Sequence, residues 1–496
     1  MKNSATHRPV RFMLDGECIE ASAPPSTMLL DWLRAQRRVG TKEGCAEGDC
    51  GACTVVLGRR DAGGALQVEP CNACIRPLAS VDGCGVLTVE GLHGAHPVQQ
   101  AMIECHASQC GFCTPGFVMA LVARLAQCER TGPLASRAQV EQALAGNLCR
   151  CTGYRPIVDA ALRAGERLAQ RGEPALPDWL LELPPLAGEP PLGFEAGGAR
   201  FDAPRSAEDV DRLLAASPQA WLLAGGTDVG LWVTKALREP AHWIALGAID
   251  ALRRIDADDT AYDVGANASL ADAFDALDRD YPELADYWLR FASPAIRASG
   301  TLAGNLANGS PIGDCAPVLI ALDSQVVLRR AGGRRTIPLA ALYVDYKRQD
   351  REPGEWIERV LIPRRRPRQR LAAWKLSKRR EQDISILALA VSLDVERDRD
   401  GERMRNVRIA FGGMAPFVRR APAVEAALEG HAPARERFAA AAEAVGVEFT
   451  PLSDHRASRD YRLAAAAGLM LRAHDRLFDS AGNVASLESV VESVVR

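Results

Sequence analysis

Several things are scarce in this sequence, and each scarcity excludes something. No run approaches the roughly 20 apolar residues that a bilayer-spanning helix needs. The opening residues, MKNSATHRPVRFMLDG, lack the apolar core of a secretory leader. A cytoplasmic chain with no membrane partner is therefore expected. Excess charge of one sign is missing too: 60 basic and 63 acidic residues leave a net charge of −3, which argues against generic attraction to nucleic acid. Neither GxGxxG nor GxxxxGK occurs, so Rossmann and P-loop phosphate sites lack support. There is no C-x-H pair of the kind a His-ligated Rieske centre would use. Cysteine itself nearly vanishes after residue 151: thirteen of the fourteen lie before that point, and only Cys315 lies beyond it.

What is present suggests a modular soluble protein. A chain of 496 residues exceeds one ordinary core, which predicts three or four domains. Residues 8–20 and 54–57 read as strands, and Leu29, Leu30 and Leu33 share one helical face between them. This suggests a small α+β module over 1–90. Residues 91–170 read as a helical bundle. Thr114-Pro115 reads as an N-cap followed by proline at the first helical position. Ser136 and Gln139 have capping-box spacing, with a stop at Gly146-Asn147, and a further helix starts at Pro156 with Ile157, Ala161, Ala164 and Leu168 on one face. Six prolines in 171–192 forbid a long helix or central strand there, so this stretch reads as a linker. Alternating short strands and helices run over 193–370. Amphipathic strands and an alanine-rich helical tail then fill 371–496. The fold class expected is multidomain α+β.

The cysteines carry the chemistry. Cys45, Cys50 and Cys53 in GCAEGDCGAC have the C-x4-C-x2-C spacing of plant-type [2Fe–2S] proteins, whose fourth ligand comes from a distant turn. Gly44, Gly48 and Gly51 allow the backbone to wrap closely. Cys71 and Cys74 compete for the fourth place, and spacing does not choose between them. A second set comprises Cys110 and Cys113 in QCGFCTPG with Cys149 and Cys151 in NLCRCTGYRP. Cysteines two apart converge only from a turn, which Gly153 and Pro156 permit. Four thiolates also suit structural zinc, so that reading stays open on spacing alone. Cys18, Cys84, Cys105, Cys128 and Cys315 read as small buried apolar residues.

Two glycine-rich stretches follow. LLAGGTDVG at 222–230 succeeds a short apolar strand, and a plain glycine turn competes with a ligand loop. FASPAIRASGTLAGNLANGSPIGDCAP at 291–317 is long for a connection in a compact domain, which favours a backbone cradle. There Asn305 and Asp314 are candidate contacts to a ligand's hydroxyls or phosphates. The basic runs at 363–370 and 375–385 read first as solvated loops.

Taken together, GCAEGDCGAC, NAC at 72–74, SQCGFCTPG at 108–116 and GNLCRCTGYRP at 146–156 resemble the two-cluster region of the molybdenum hydroxylase family, which includes xanthine dehydrogenases and aldehyde oxidases. The resemblance implies a β-grasp ferredoxin-like [2Fe–2S] domain, a helical-bundle [2Fe–2S] domain, an FAD-binding domain and a C-terminal CO-dehydrogenase-flavoprotein-like domain. It makes Cys74 the fourth ligand of the first cluster and Cys71 an extra. It implies that Leu223, Ala224, Gly225, Gly226, Thr227, Asp228 and Val229, with Thr301, Leu302, Ala303, Gly304 and Asn305, hold the FAD pyrophosphate. Phe291 would lie by the flavin or adenine, Asp314 on a sugar or ribityl hydroxyl, and Lys375 near the isoalloxazine. AGGTDVGLWVTK at 224–235 is specifically similar to the iron–sulfur/FAD small subunit of the bacterial xanthine dehydrogenases, and AFGGMAPFVRRA at 410–421 is similar to the C-terminal flavoprotein signature. By the same resemblance NAD+ is the electron acceptor, and the molybdopterin cofactor belongs to a large partner subunit for which this chain has no room. The assembly would be a dimer of heterodimers, with no acid–base catalytic residue in this chain.

Overall fold

The computed structural model describes residues 8–61, 63–128, 132–172, 174–184, 190–399 and 401–478. The N-terminal residues 1–7, residues 173 and 185–189 of the stretch read as a linker, and the tail beyond 478 lie outside them.

The first module is a five-stranded sheet of order β2-β1-β5-β3-β4, built from β1 (Val10–Leu14), β2 (Glu17–Ala21), β3 (Thr54–Arg60), β4 (Leu66–Asn72) and β5 (Gly85–Leu87). Asp15 and Gly16 both take positive φ, 50° and 92°, as the two-residue turn joining β1 to β2 requires. The helix Leu29–Ala35 lays Leu29, Leu30 and Leu33 on this sheet, as the periodicity predicts.

The helices Pro97–Glu104, Thr114–Ala126, Arg137–Ala143 and Arg155–Arg171 form the bundle. The Ser136/Gln139 capping box is present with both of its bonds. The other boundaries shift. Cys113, not Thr114, is the N-cap, so that Pro115 falls at the second helical position. The third helix ends at Ala143, before Gly146, and the fourth begins at Arg155 after Tyr154, which takes a positive φ of 68°. The bundle core takes in Val56 and Leu87 from the sheet, so the two cysteine-bearing modules share apolar contacts.

The stretch read as a linker departs from expectation. Its prolines do prevent a long helix, but Asp178–Leu181 forms a single turn. Leu180 is fully buried beside Gly58 and Gly85, while Trp179 stands over Gly16. Arg60 donates to the carbonyls of Leu181 and Leu183. The segment is docked against the first sheet.

Beyond it, β6 (Leu192–Ala196), β7 (Ala199–Ala203), β8 (Trp221–Leu223) and β9 (His242–Ala245) form a sheet of order β6-β7-β9-β8. Leu192, Phe201, Leu223, Trp243 and Ala245 from this sheet join one core with Val10, Phe12 and Leu33 of the first module. A second sheet, of order β10-β11-β16-β12-β13, comprises β10 (Ile255–Ala257), β11 (Ala261–Gly265), β12 (Gln325–Arg330), β13 (Gly333–Pro338) and β16 (Trp356–Pro363). The short hairpin β14 (Tyr343–Asp345) and β15 (Arg348–Gln349) precedes β16. The last module is the antiparallel sheet β17 (Gln369–Leu376), β18 (Leu387–Asp398), β19 (Gly401–Gly412) and β20 (Arg419–Arg420), with the helices Arg435–Glu448 and Arg459–Phe478 packed on it. The multidomain α+β class is the one observed. No described helix is long and apolar enough to cross a membrane.

Candidate functional site

The first cysteine loop is folded tightly around its own sulfurs. Cys45 Sγ accepts hydrogen bonds from the N–H groups of Glu47 (3.4 Å), Asp49 (3.3 Å) and Cys50 (3.4 Å). Contacts from the Cys50 thiol, then from the Cys74 thiol, hold Cys45 well below the ordinary thiol range. Cys53 is lowered in the same way by Cys74, while Cys74, the donor to both, is raised. Gly51 takes φ 68°, and a Cβ there would stand 2.4 Å from the Gly146 carbonyl, so a side chain is excluded on two counts.

Cys74 sits in the 3-10 turn Ala73–Ile75 that follows β4. Cys71 lies within β4 itself and shares no thiol hydrogen bond with the set: burial pushes its thiol up to about 12, and its neighbours are Arg76, Glu69, Cys53 and Ser299, of which it hydrogen-bonds Ser299. The structure thus brings Cys45, Cys50, Cys53 and Cys74 together and leaves Cys71 out.

In the second set, Cys113 meets Cys149 and Cys110 meets Cys151. Burial and then the Cys149 contact push Cys113 up to about 12. Cys149 Sγ lies 3.2 Å from Thr152 Oγ1 and accepts from Thr152 N–H at 3.5 Å. Cys110 and Cys151 are exposed. Among the described residues no group of three or more His, Cys, Asp or Glu side chains is arranged to hold a metal ion. The thiols hydrogen-bond to one another instead, as a chain through Cys74 and Cys45 in the first set and as two pairs in the second. Eight thiols on close-wrapped loops, with N–H groups aimed at sulfur, are a donor set that fits two [2Fe–2S] groups. Of the remaining cysteines, Cys84 and Cys315 are buried as expected, Cys105 and Cys128 are half-buried, and Cys18 is exposed, contrary to expectation, because it lies on the edge strand β2.

The two sets touch. Leu148 N–H donates to the Cys50 carbonyl and Asn147 Nδ2 to the Gly51 carbonyl, both at 3.0 Å. On its other side the first loop meets distant segments. Lys235 Nζ donates to the Cys45 carbonyl at 2.5 Å, and Gln382 Nε2 to the Asp49 carbonyl at 2.8 Å. Sequence reasoning did not single out Lys235, Gln382 or Asn147 as contacts, although each closes or lies within a stretch quoted above.

The glycine stretches converge as well. Leu223 ends β8, and the short helix Val229–Thr234 follows the turn 224–228, where Gly226 has φ 78°. Thr301 caps the helix Leu302–Asn308 by accepting from Gly304 N–H at 3.0 Å. The two turns lie against each other so closely that a Cβ on Gly225 would stand 1.8 Å from the Ser299 carbonyl oxygen. Asn305 Oδ1 is buried with no hydrogen-bond partner, and Asp228 accepts from Asn308 at 3.2 Å. Phe291 is buried, and Lys375 Nζ lies 5.8 Å from its ring centroid. Asp314 accepts from Lys375 Nζ at 2.6 Å and from the Ser385 hydroxyl. Each of its oxygens keeps a second lone pair for a ligand hydroxyl. A cradle closed to Cβ atoms, an orphaned acceptor and a buried ring fit a dinucleotide of the FAD type.

Four family models match in succession: a 2Fe-2S iron-sulfur cluster binding domain over 12–77, a [2Fe-2S] binding domain over 88–162, the FAD binding domain in molybdopterin dehydrogenase over 198–365, and the CO dehydrogenase flavoprotein C-terminal domain over 372–477. The chain belongs to the molybdenum hydroxylase family. Within that family it is 34% identical over 485 residues to the xanthine dehydrogenase of Emericella nidulans, covering 85% of this chain and 35% of that protein. It is 29% identical over 469 residues to aldehyde oxidase 4 of Cavia porcellus, covering 82% of this chain and 34% of that protein. The chain spans about a third of the length of the curated relatives it matches. Among molybdenum hydroxylase structures, a chain of the carbon monoxide dehydrogenase of Hydrogenophaga pseudoflava that lacks the Mo-pyranopterin moiety superimposes with a TM-score of 0.53 at 29% identity, over 57% of this chain and 99% of that one. Quinoline 2-oxidoreductase from Pseudomonas putida 86 shares the fold, with a TM-score of 0.52 at 24% identity, over 57% of this chain and 98% of that one.

The contact at Gly225 yields a prediction. Gly225→Ala is expected to destabilise the chain by about 1–3 kcal/mol through overpacking and to lower its flavin content. Gly446→Ala has open space around it and should cost nothing. Urea unfolding and the flavin-to-protein ratio compare the two; equal behaviour would mean that the turn yields freely.

Proposed function

We propose that the chain is the iron–sulfur/FAD subunit of a xanthine dehydrogenase, carrying electrons from purine oxidation at a partner's molybdenum cofactor to NAD+. Bound to this chain, two [2Fe–2S] clusters supply one-electron relay, and FAD accepts those electrons singly and passes on a hydride. Cys110, Cys113, Cys149 and Cys151 would hold one cluster, and Cys45, Cys50, Cys53 and Cys74 the other. Leu223–Val229 and Thr301–Asn305 would hold the FAD pyrophosphate, with Phe291, Asp314 and Lys375 toward the flavin end.

One observation carries this reading: the first cysteine loop is hydrogen-bonded to the second cysteine loop on one side and to Lys235 and Gln382 of the flavin modules on the other. Hydrogen bonds to the first loop's backbone carbonyls at each junction keep successive centres close, and closeness is what the protein contributes to electron transfer. The exposed set is the natural entry point. Around Cys110 and Cys151 stand Phe112, Leu148 and Tyr154, exposed by 47%, 43% and 38%, an apolar surface suited to a molybdopterin-bearing partner. The carbon monoxide dehydrogenase chain is matched over 99% of its length by 57% of this one, which supports an assembly built from separate chains. A dimer of heterodimers and a cytoplasmic setting complete the proposal.

A second reading, the equivalent subunit of an aldehyde- or N-heterocycle-oxidising enzyme, draws on the likeness to aldehyde oxidase 4. The stretch 224–235 and the identity of 34% to a xanthine dehydrogenase favour the first. Co-purification with a molybdopterin-bearing partner, followed by assays of xanthine and aldehydes with NAD+, decides between them. NADH formed from xanthine supports the proposal, and turnover confined to aldehydes or to acceptors other than NAD+ overturns it.

A further inference from the structure

A cavity of about 100 Å³ lies behind the turn 223–226, walled by β3 and β4 of the ferredoxin-like sheet, by the ends of β8 and β9, and by residues 267–269 and 298–301. It is not the flavin site. Thr227–Val229, Leu302–Asn305, Phe291, Asp314 and Lys375 take no part in it, and the two sites share only Leu223, Ala224, Gly225 and Thr301 as a common wall.

The charges around this space do not balance. Arg59, Arg76, Arg205 and Arg253 line it, against the two carboxylates Glu69 and Asp82. Asp82 is already engaged by the Arg8 guanidinium, at 2.7 and 2.5 Å, which leaves Glu69 facing four cations. Arg253 uses two N–H groups on the Gly247 carbonyl, at 3.2 and 2.9 Å, and Arg59 reaches Asp250 only at 3.8 Å. The Nε atoms of Arg76 and Arg205 are buried with no hydrogen-bond partner. Burial, and then the neighbouring Arg59, push Arg253 down to about 10, whereas Arg76 is held above the ordinary arginine value by Cys71 and Glu69 despite its burial.

A buried guanidinium N–H without a partner is costly, and the group cannot shed its proton as a lysine could. The remaining escape is a counter-ion. Planar guanidinium forks match the paired oxygens of an oxyanion, and two negative charges with Glu69 approach neutrality against four positive ones. A volume of this size holds several waters, hence also one tetrahedral anion.

We propose that this cavity binds a compact divalent oxyanion of the phosphate or sulfate type, held by Arg59, Arg76, Arg205 and Arg253, which clamps the ferredoxin-like module to the flavin-binding module.

The test uses the full chain with its cofactors, gel-filtered into chloride buffer and then denatured. Ion chromatography of the released solutes should find close to one phosphate or sulfate per chain, and the species found identifies the source. Thermal unfolding should shift upward with inorganic phosphate relative to chloride at equal ionic strength. Arg76→Gln and Arg205→Gln should each weaken phosphate binding by roughly tenfold or more, the loss of a charged hydrogen bond. Iron and flavin contents report whether each variant has folded. No released anion together with no phosphate-specific shift would mean that the cavity holds water only, and undiminished binding by both variants would place the anion elsewhere; either result overturns the proposal. Should one variant fail to fold, the release measurement on the unaltered chain still decides.

Discussion

Cys74→Ser is expected to abolish one [2Fe–2S] centre, whereas Cys71→Ser leaves both. The expectation rests on where two cysteines three residues apart are carried by one short piece of chain. Residue 71 is still in β4, paired with Val55 across the ladder, so its side chain follows the strand's alternation into the interior beside Ser299 and Arg76. At residue 73 the strand becomes a 3-10 turn, and that change of direction swings Cys74 back to Cys45 and Cys53. Asn72 secures the bend: its Nδ2 donates to the Gly48 carbonyl at 2.8 Å, pinning the turn to the first cysteine loop. Iron and acid-labile sulfide should fall by about half in Cys74→Ser, and one of the two EPR signals should vanish. Cys113→Ser should remove the other signal; on the proposed function, and in complex with a molybdopterin-bearing partner, it should also stop xanthine-dependent NAD+ reduction and spare NADH-dependent dye reduction, because the flavin modules make their own contacts. If Cys71→Ser lost a cluster while Cys74→Ser kept it, the ligand set proposed for the first loop would be wrong.

This contrast also marks the limit of what the sequence makes legible. Spacing within a loop is local, so C-x4-C-x2-C and the Ser136/Gln139 box can be read directly and are found folded as read. The choice between Cys71 and Cys74 depends on the residue at which a strand stops, which no spacing rule encodes. Helix starts were displaced by one residue at Thr114 and at Pro156 because proline is tolerated throughout the first turn and does not mark one position in it. The stretch 171–192 shows why composition misleads: prolines report only that regular structure is broken. That Leu180 and Trp179 dock there follows from Gly16, Gly58 and Gly85, more than 90 residues earlier, which leave shallow sites on the sheet. Lys235 and Gln382 reach the first cysteine loop across 190 and 333 residues of chain, and no local pattern announces contacts of that span.

The buried pair Lys375–Asp314 should show the largest effect on stability. Both residues are nearly inaccessible, at 3% and 5%, and among the described residues their 2.6 Å contact is the only ion pair of either. The surrounding groups hold the backbone as well: Arg290 donates to the Lys375 carbonyl at 2.6 Å and Tyr287 to the Asp314 carbonyl at 2.7 Å. A side chain that lost its partner here could not swing out to water. Lys375→Met would leave a buried carboxylate with only the Ser385 hydroxyl, and Asp314→Asn would leave a buried ammonium; each is expected to cost about 3–5 kcal/mol in urea unfolding. The double variant should cost less than the sum of the two, by about 0.5–3 kcal/mol, since it buries no uncompensated charge. Flavin content then separates two roles for the pair. If the pair serves the flavin end of the site, the double variant regains stability but not cofactor; if it regains both, the pair is a fastening between the helix Cys315–Ala321 and β17 and has no part in holding FAD. Single-variant costs below about 1 kcal/mol would mean that water reaches the pair and that the site is open where the structure shows it closed.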